Sequence, residues 1–376
     1  MTFNEIPGLR RPAALLRALA VGVLAVLTMA GAASASGCGK PVIAGQHDLS
    51  ISSGGLERSA VAYIPKNYSG AKKVALVFDL HGSNSFPAAQ MARSRWPDVA
   101  DKEGFIVVAP QGGLDGNVAG THAWNVPGVT PGDGPDDEAF LKAAVRAARD
   151  TYCIDPDRIY ASGYSGGGRM LSQFLCNGNS EFSAAGFVMS LRAGYPRQKD
   201  GTWQPDGDSC HPAKPVSIIA FWGLKDNTNP FAGGGKAYWQ YSGETALKRW
   251  ADLDGCKGDM RAVNGDVISS MAFDNCRGGA RVLSYTIANN THAWPSSSVL
   301  FTLAKTENDL GREVDAAARM WDFFMSGQGQ LMADIAVKSA CKDIATPDGA
   351  EAGLQGTKCS QQGKPDSRGP GAAGAL

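Results

Sequence analysis

The sequence predicts an α/β fold, with a mostly parallel central sheet and helices on both faces. Strand-like and helix-like patterns alternate along most of the chain, as expected of βα units. Runs such as Val74–Leu80 and Val216–Trp222 are almost continuously apolar, which strands buried on both faces require. A strand-like run over 158–163 also passes directly into Gly163-Tyr164-Ser165-Gly166-Gly167 and then into a helical pattern.

The elements follow in order. Ser59 to Ile64 alternates as a half-exposed strand, and Val74 to Leu80 reads as a buried one. Phe86 to Asp101 reads as helical, and Phe105 to Ala109 as another buried strand. Asp136 to Tyr152 has acidic residues at its start and Phe140, Leu141, Ala144 and Val145 at helical spacing, so it is expected to be a helix. After the strand at 158–163, Arg169 to Cys176 continues as helix. Strands are expected at Ala185 to Met189, Val216 to Trp222 and Val282 to Ile287, with a helix at Glu244 to Ala251 and a last amphipathic helix at Arg312 to Phe324. Gly112 to Gly134 and Asp226 to Gly243 read as long loops at the edge where strands end, the place for specificity.

Composition bounds the partners. The 376 residues carry 36 Lys+Arg against 36 Asp+Glu, so no global field draws in nucleic acid or an anionic membrane surface. Hydrophobic content of 43% supports a substantial core. Arg10, Arg11 and Arg17 precede an apolar run over 18–30 and then Ala33-Ser34-Ala35, the tripartite pattern of a cleaved export signal over 1–35. The segment is too short for a comfortable membrane span. Arg10-Arg11 raises twin-arginine export as an alternative route. Ala35-Ser36-Gly37-Cys38 weakly resembles a lipoprotein box, which would put a lipid on Cys38. Residues 36–362 are expected to form one domain, working as a monomer, with a Gly/Pro/Ala-rich tail over 363–376.

The eight cysteines are Cys38, Cys153, Cys176, Cys210, Cys256, Cys276, Cys341 and Cys359. An even number in an exported chain argues for disulfides, and no Cys-x-x-Cys spacing argues for zinc. Sequence does not fix connectivity; the expected pairs are Cys153–Cys176 and Cys256–Cys276, leaving Cys38–Cys210 and Cys341–Cys359. Neither metal nor cofactor is expected.

Gly-x-Ser-x-Gly between a strand and a helix has the layout of a nucleophile elbow, in which a strained turn lifts the Ser165 hydroxyl clear of the sheet. A serine nucleophile needs a base and a group that orients it. Of His47, His81, His122, His211 and His292, only His292 follows a late strand in the required order Ser, acid, His. Asp226, four residues past Trp222, is the expected acid; Asp252 and Asp254 follow a helical pattern instead. The oxyanion donors are expected to be the N–H groups of Gly166 and of Ser83, in His81-Gly82-Ser83-Asn84. His81 then reads as structural. Trp124, Tyr164 and Trp294 are candidate substrate-binding aromatics, though each also reads as core.

These residues resemble the secreted esterases that include poly(3-hydroxybutyrate) depolymerase-like and feruloyl esterase-like enzymes. The resemblance rests on Gly37-Cys38-Gly39-Lys40, Leu80-His81-Gly82, 135–140, 153–160, the elbow and His292-Ala293-Trp294-Pro295. It implies an α/β-hydrolase fold, the catalytic roles of Ser165, Asp226 and His292, and ester substrates. The chain departs from the family at Tyr164-Ser165-Gly166 and after Asp226, which leaves substrate identity open. A branch acting on oxidised poly(vinyl alcohol), cleaving a carbon–carbon bond between two ketones, is the alternative.

Overall fold

The computed structural model describes residues 37–295 and 314–326. The expected signal (1–35), the tail (363–376) and the Cys341–Cys359 pair lie outside the described residues. A ten-stranded sheet organises the rest. Its first members are β1 (Gly45–Ser53), β2 (Leu56–Ile64), β3 (Val74–Leu80) and β4 (Ile106–Pro110). A small ribbon, β5 (Leu114–Asp115) with β6 (His122–Ala123), interrupts the first long loop. The sheet resumes with β7 (Ile154–Tyr164) and β8 (Ala184–Val188). A separate hairpin, β9 (Pro196–Lys199) with β10 (Thr202–Pro205), precedes β11 (Ser217–Gly223). Then come β12 (Arg261–Val263), β13 (Ile268–Phe273) and β14 (Val282–Ile287). The helices are α1 (Pro87–Ser94), α2 (Trp96–Glu103), α3 (Asp137–Thr151), α4 (Gly166–Cys176), α5 (Gly243–Leu253) and α6 (Ala316–Met325).

Strands run in the order β1-β2-β4-β3-β7-β8-β11-β14-β13-β12. Neighbours from β4 to β14 pair in parallel, and antiparallel strands close both edges. Renumbered without the small ribbons and without the β12–β13 edge, the remaining eight read 1-2-4-3-5-6-7-8. This is the α/β-hydrolase fold. One core lies on each face of the sheet, which explains the unbroken apolar runs in the central strands. On one face α6 packs Trp321 against Phe105 and Phe324 against Tyr160, with ring centroids 4.0 and 4.7 Å apart.

Two helical expectations are revised. Phe86 to Asp101 is two helices, because Arg95 turns left-handed (φ 59°) and Pro97 cannot continue a helix from α1 without clashing with an earlier carbonyl. The last helix begins at Ala316, capped by Asp315, which accepts the Ala318 N–H at 3.1 Å; residues 312–313 are outside the described set.

The disulfides differ from expectation. Cys38 bonds to Cys153 and Cys176 to Cys210, so the expected Cys153–Cys176 and Cys38–Cys210 pairs are incorrect; Cys256–Cys276 is as expected. β7 rises about 36 Å over its 11 residues, whereas α4 runs back only about 16 Å over its 11, so Cys176 at the end of α4 stops short of Cys153 before β7. The Cys38 bond also consumes the thiol that a lipid anchor would need. Among the described residues no helix is long and apolar enough to cross a membrane.

Candidate active site

Ser165, Asp226 and His292 follow the carboxyl ends of β7, β11 and β14, and the parallel sheet delivers them to one edge. Ser165 stands between strand and helix at φ 50°, ψ −113°, a costly conformation for a residue with a Cβ. Its N–H is held by Val188 O at 3.0 Å, and close packing holds the turn. A Cβ on Gly163 would lie 2.5 Å from Gly168 Cα, and one on Gly167 would lie 2.4 Å from Leu80 O. No side chain fits at either position.

His292 Nε2 is 2.9 Å from Ser165 Oγ, and His292 Nδ1 is 2.7 Å from Asp226 Oδ2. The other carboxylate oxygen, Asp226 Oδ1, accepts the N–H groups of Thr228 and Asn229 at 2.8 and 2.9 Å. Asn229 is in turn buried and donates to Met189 O at 2.7 Å. The acid loop is thus bolted to the strand beside the elbow. The Nδ1–H tautomer of His292 satisfies both contacts, donating to Asp226 and leaving Nε2 as an acceptor facing the serine hydroxyl.

The loop after β3 faces the elbow. A Cβ on Gly166 would lie 2.4 Å from Ser83 Oγ and 2.8 Å from Ser83 N, so the two backbones meet as closely as a glycine permits. Gly166 opens α4, so its N–H has no acceptor within the helix. His81 fixes this loop. Its Nδ1–H donates to Gly82 O at 2.7 Å, its Nε2 accepts the Gly112 N–H at 3.0 Å, and burial lowers its pKa to about 4. It is a neutral strut.

The three candidate aromatics differ in exposure. Trp124 is 2% exposed, and its Nε1–H donates to His81 O at 2.7 Å. Trp294 is 3% exposed. Both indoles pack in the interior, where large apolar rings gain most from leaving water. Tyr164 is half-buried and donates its hydroxyl to His292 O at 2.6 Å, anchoring the loop that carries the base. Sequence reasoning missed that role, and it also missed Asn229. Neither role has a local signal, because the acceptors of the two side chains, His292 O for Tyr164 and Met189 O for Asn229, are distant in the chain.

Asp137 organises the neighbouring loop. It forms a buried 2.6 Å ion pair with Arg58 and accepts the Asn125 N–H at 2.7 Å, while burial raises its pKa. Asp79 lies under the elbow and accepts from Ser94, Gln90 and Ser162 at 2.6, 2.9 and 3.0 Å. Its burial raises its pKa to about 6.

No protein-family model matches the chain. Over 244 residues it is 29% identical to feruloyl esterase B of Piromyces equi, covering 63% of this chain and 42% of that protein. It is 24% identical over 279 residues to probable feruloyl esterase C of Aspergillus flavus, covering 73% and 88% of the two chains. With the poly(3-hydroxybutyrate) depolymerase of Ralstonia pickettii it shares 26% identity over 247 residues, covering 60% and 49%. The chain is similar in sequence to feruloyl esterases and to a poly(3-hydroxybutyrate) depolymerase. The match spans less than half the length of the Piromyces and Ralstonia relatives. Among solved structures, an acetyl xylan esterase from Aspergillus awamori matches with a TM-score of 0.46 at 14% identity, covering 67% of this chain and 95% of that one.

Proposed function

We propose that the chain is an exported serine esterase that works through an acyl-enzyme. The observation that carries this reading is the unbroken line from Ser165 Oγ through His292 to Asp226, with polar contacts of 2.9 and 2.7 Å, at a strained elbow. Ser165 Oγ attacks the ester carbonyl as His292 Nε2 takes its proton. The negative oxygen that develops is held by the N–H groups of Gly166 and Ser83. His292 returns the proton to the departing alcohol, leaving Ser165 acylated. Water, deprotonated by His292, then releases the acid. Asp226 keeps the imidazole in its Nδ1–H tautomer and stabilises its cation at each half-reaction.

Ester substrates are favoured over the carbon–carbon alternative because the relatives are described as feruloyl esterases and a polyester depolymerase. Feruloyl or other aryl esters and polyesters are the proposed substrate class. Disulfides between distant cysteines support export to an oxidising compartment. The test compares p-nitrophenyl butyrate, methyl ferulate, poly(3-hydroxybutyrate) and a β-diketone as substrates of the wild type and Ser165→Ala. Ester turnover lost in the variant supports the reading. Turnover retained by the variant, or confined to the diketone, overturns it.

A further inference from the structure

Two buried arginines near the elbow helix have no acid to balance them, and one of them reaches Ser83. Arg169 lies on α4, one turn past Ser165, and Arg192 lies beyond the end of β8. They are 7% and 6% exposed. Among the described residues neither forms an ion pair with an aspartate or glutamate. Arg169 reaches Ser83 Oγ only at a long 3.5 Å and lies over the Tyr238 ring, and its Nε has no partner. Arg192 is held more firmly. Its Nε donates to Leu191 O at 2.8 Å, its Nη1 to Tyr241 O at 2.9 Å, and its guanidinium lies 3.5 Å from the Trp239 ring centroid, yet Nη2 has no partner.

Burying one guanidinium without a counter-charge is costly, and burying two together adds their repulsion. Burial lowers the pKa of both, and Arg169 adds to the lowering at Arg192. Both side chains line one small recess with Val126, Val129, Tyr195 and Tyr238. Its volume of about 30 Å³ holds two or three water-sized groups, the size of a carboxylate and far short of an aromatic ring.

We propose that this recess is a subsite for a carboxylate carried by the ester substrate, bound by Arg169 and Arg192, with the 3.5 Å contact from Arg169 to Ser83 Oγ linking it to the candidate oxyanion site. The proposal rests on the serine-esterase reading and narrows it to esters bearing a free acid, such as half-esters of dicarboxylic acids or hydroxy-acid oligomers ending in carboxylate. A planar guanidinium fork suits two carboxylate oxygens, and a neutral ester would leave the charges unbalanced.

The test measures kcat/KM at low ionic strength for two series of substrates. In one the carboxylate is on the acyl side: mono-p-nitrophenyl glutarate, adipate and suberate, each against its methyl ester. In the other it is on the alcohol side: 3-butanoyloxybutanoate against its carboxamide. The subsite predicts a preference of tenfold or more for the anion in at least one series. Arg169→Gln, whose loosely held side chain makes it the safer variant for folding, is expected to cut that anion-to-neutral ratio about tenfold, with Arg169→Lys between. Equal turnover of anionic and neutral members in every series, or a preference that Arg169→Gln leaves intact in a protein with an unaltered melt, overturns the subsite alone. Failure to hydrolyse any member of either series, anionic or neutral, would instead overturn the esterase reading.

Discussion

The Tyr164 hydroxyl donates a 2.6 Å hydrogen bond to the carbonyl of His292, joining the residue before the candidate nucleophile to the candidate base. The two rings also lie 5.4 Å apart by their centroids. The elbow therefore clamps the loop that bears the imidazole. Tyr164→Phe should leave the fold intact and cost about 1 kcal/mol of stability. It should lower kcat severalfold for a p-nitrophenyl ester with little change in KM, because the base is less well placed while ester binding is untouched. Steady-state kinetics alongside a thermal melt check this.

Asp226→Asn addresses the tautomer. An amide donor facing His292 Nδ1 removes the reason for the proton to sit there, so Nε2 no longer waits as a base. A fall in kcat on the order of 10⁴-fold is expected, as for other triads that lose their acid. Activity within tenfold of wild type would show that Asp226 does not orient His292.

Asp79 makes stability depend on pH. Its carboxyl titrates at about 6 when folded against an ordinary 3.8, so the folded chain binds the proton more tightly. Its contribution is fully present below about pH 4 and is lost as pH rises through about 6, a change of about 3 kcal/mol. Asp79→Asn removes that slope. Urea melts of the variant and wild type at pH 4.5 and pH 8 should show the variant gaining on wild type at the higher pH. A pH-independent difference would contradict the assignment. Comparing the two proteins cancels the opposite slope from His81, whose lowered pKa favours folding above about pH 6.5 and loses that effect as pH falls toward 4.

The Cys176–Cys210 bond ties the end of α4 to the segment before β11 across 34 residues. By loop-closure entropy, replacing both cysteines with serine should cost about 4 kcal/mol, read as a lower denaturant midpoint. Replacing Cys153 and Cys176 together would break two separate bridges and cost more.

What the sequence made legible was the chemistry with a local code. The glycines at 163 and 167 announce an elbow because a backbone must pass where a side chain would stand, and chain order alone isolates His292. Asp226 could be found because it follows a strand whose apolar run is plain in the sequence. Partnerships set by tertiary packing were not legible. Cysteine pairing depends on which Cα atoms approach, and nothing near Cys38 signals that Cys153 is opposite it. An indole such as Trp124 looks alike in sequence whether it lines a groove or braces His81 O. Strand β1 was missed because an edge strand buries little and leaves few apolar positions to read.

The most direct measurement is to treat the protein with a fluorophosphonate and locate the adduct by peptide mass spectrometry. The account predicts one adduct, on Ser165, forming quickly in the wild type, slowly in His292→Ala and not at all in Ser165→Ala. Labelling of another residue, or esterase turnover that survives in Ser165→Ala, would contradict it.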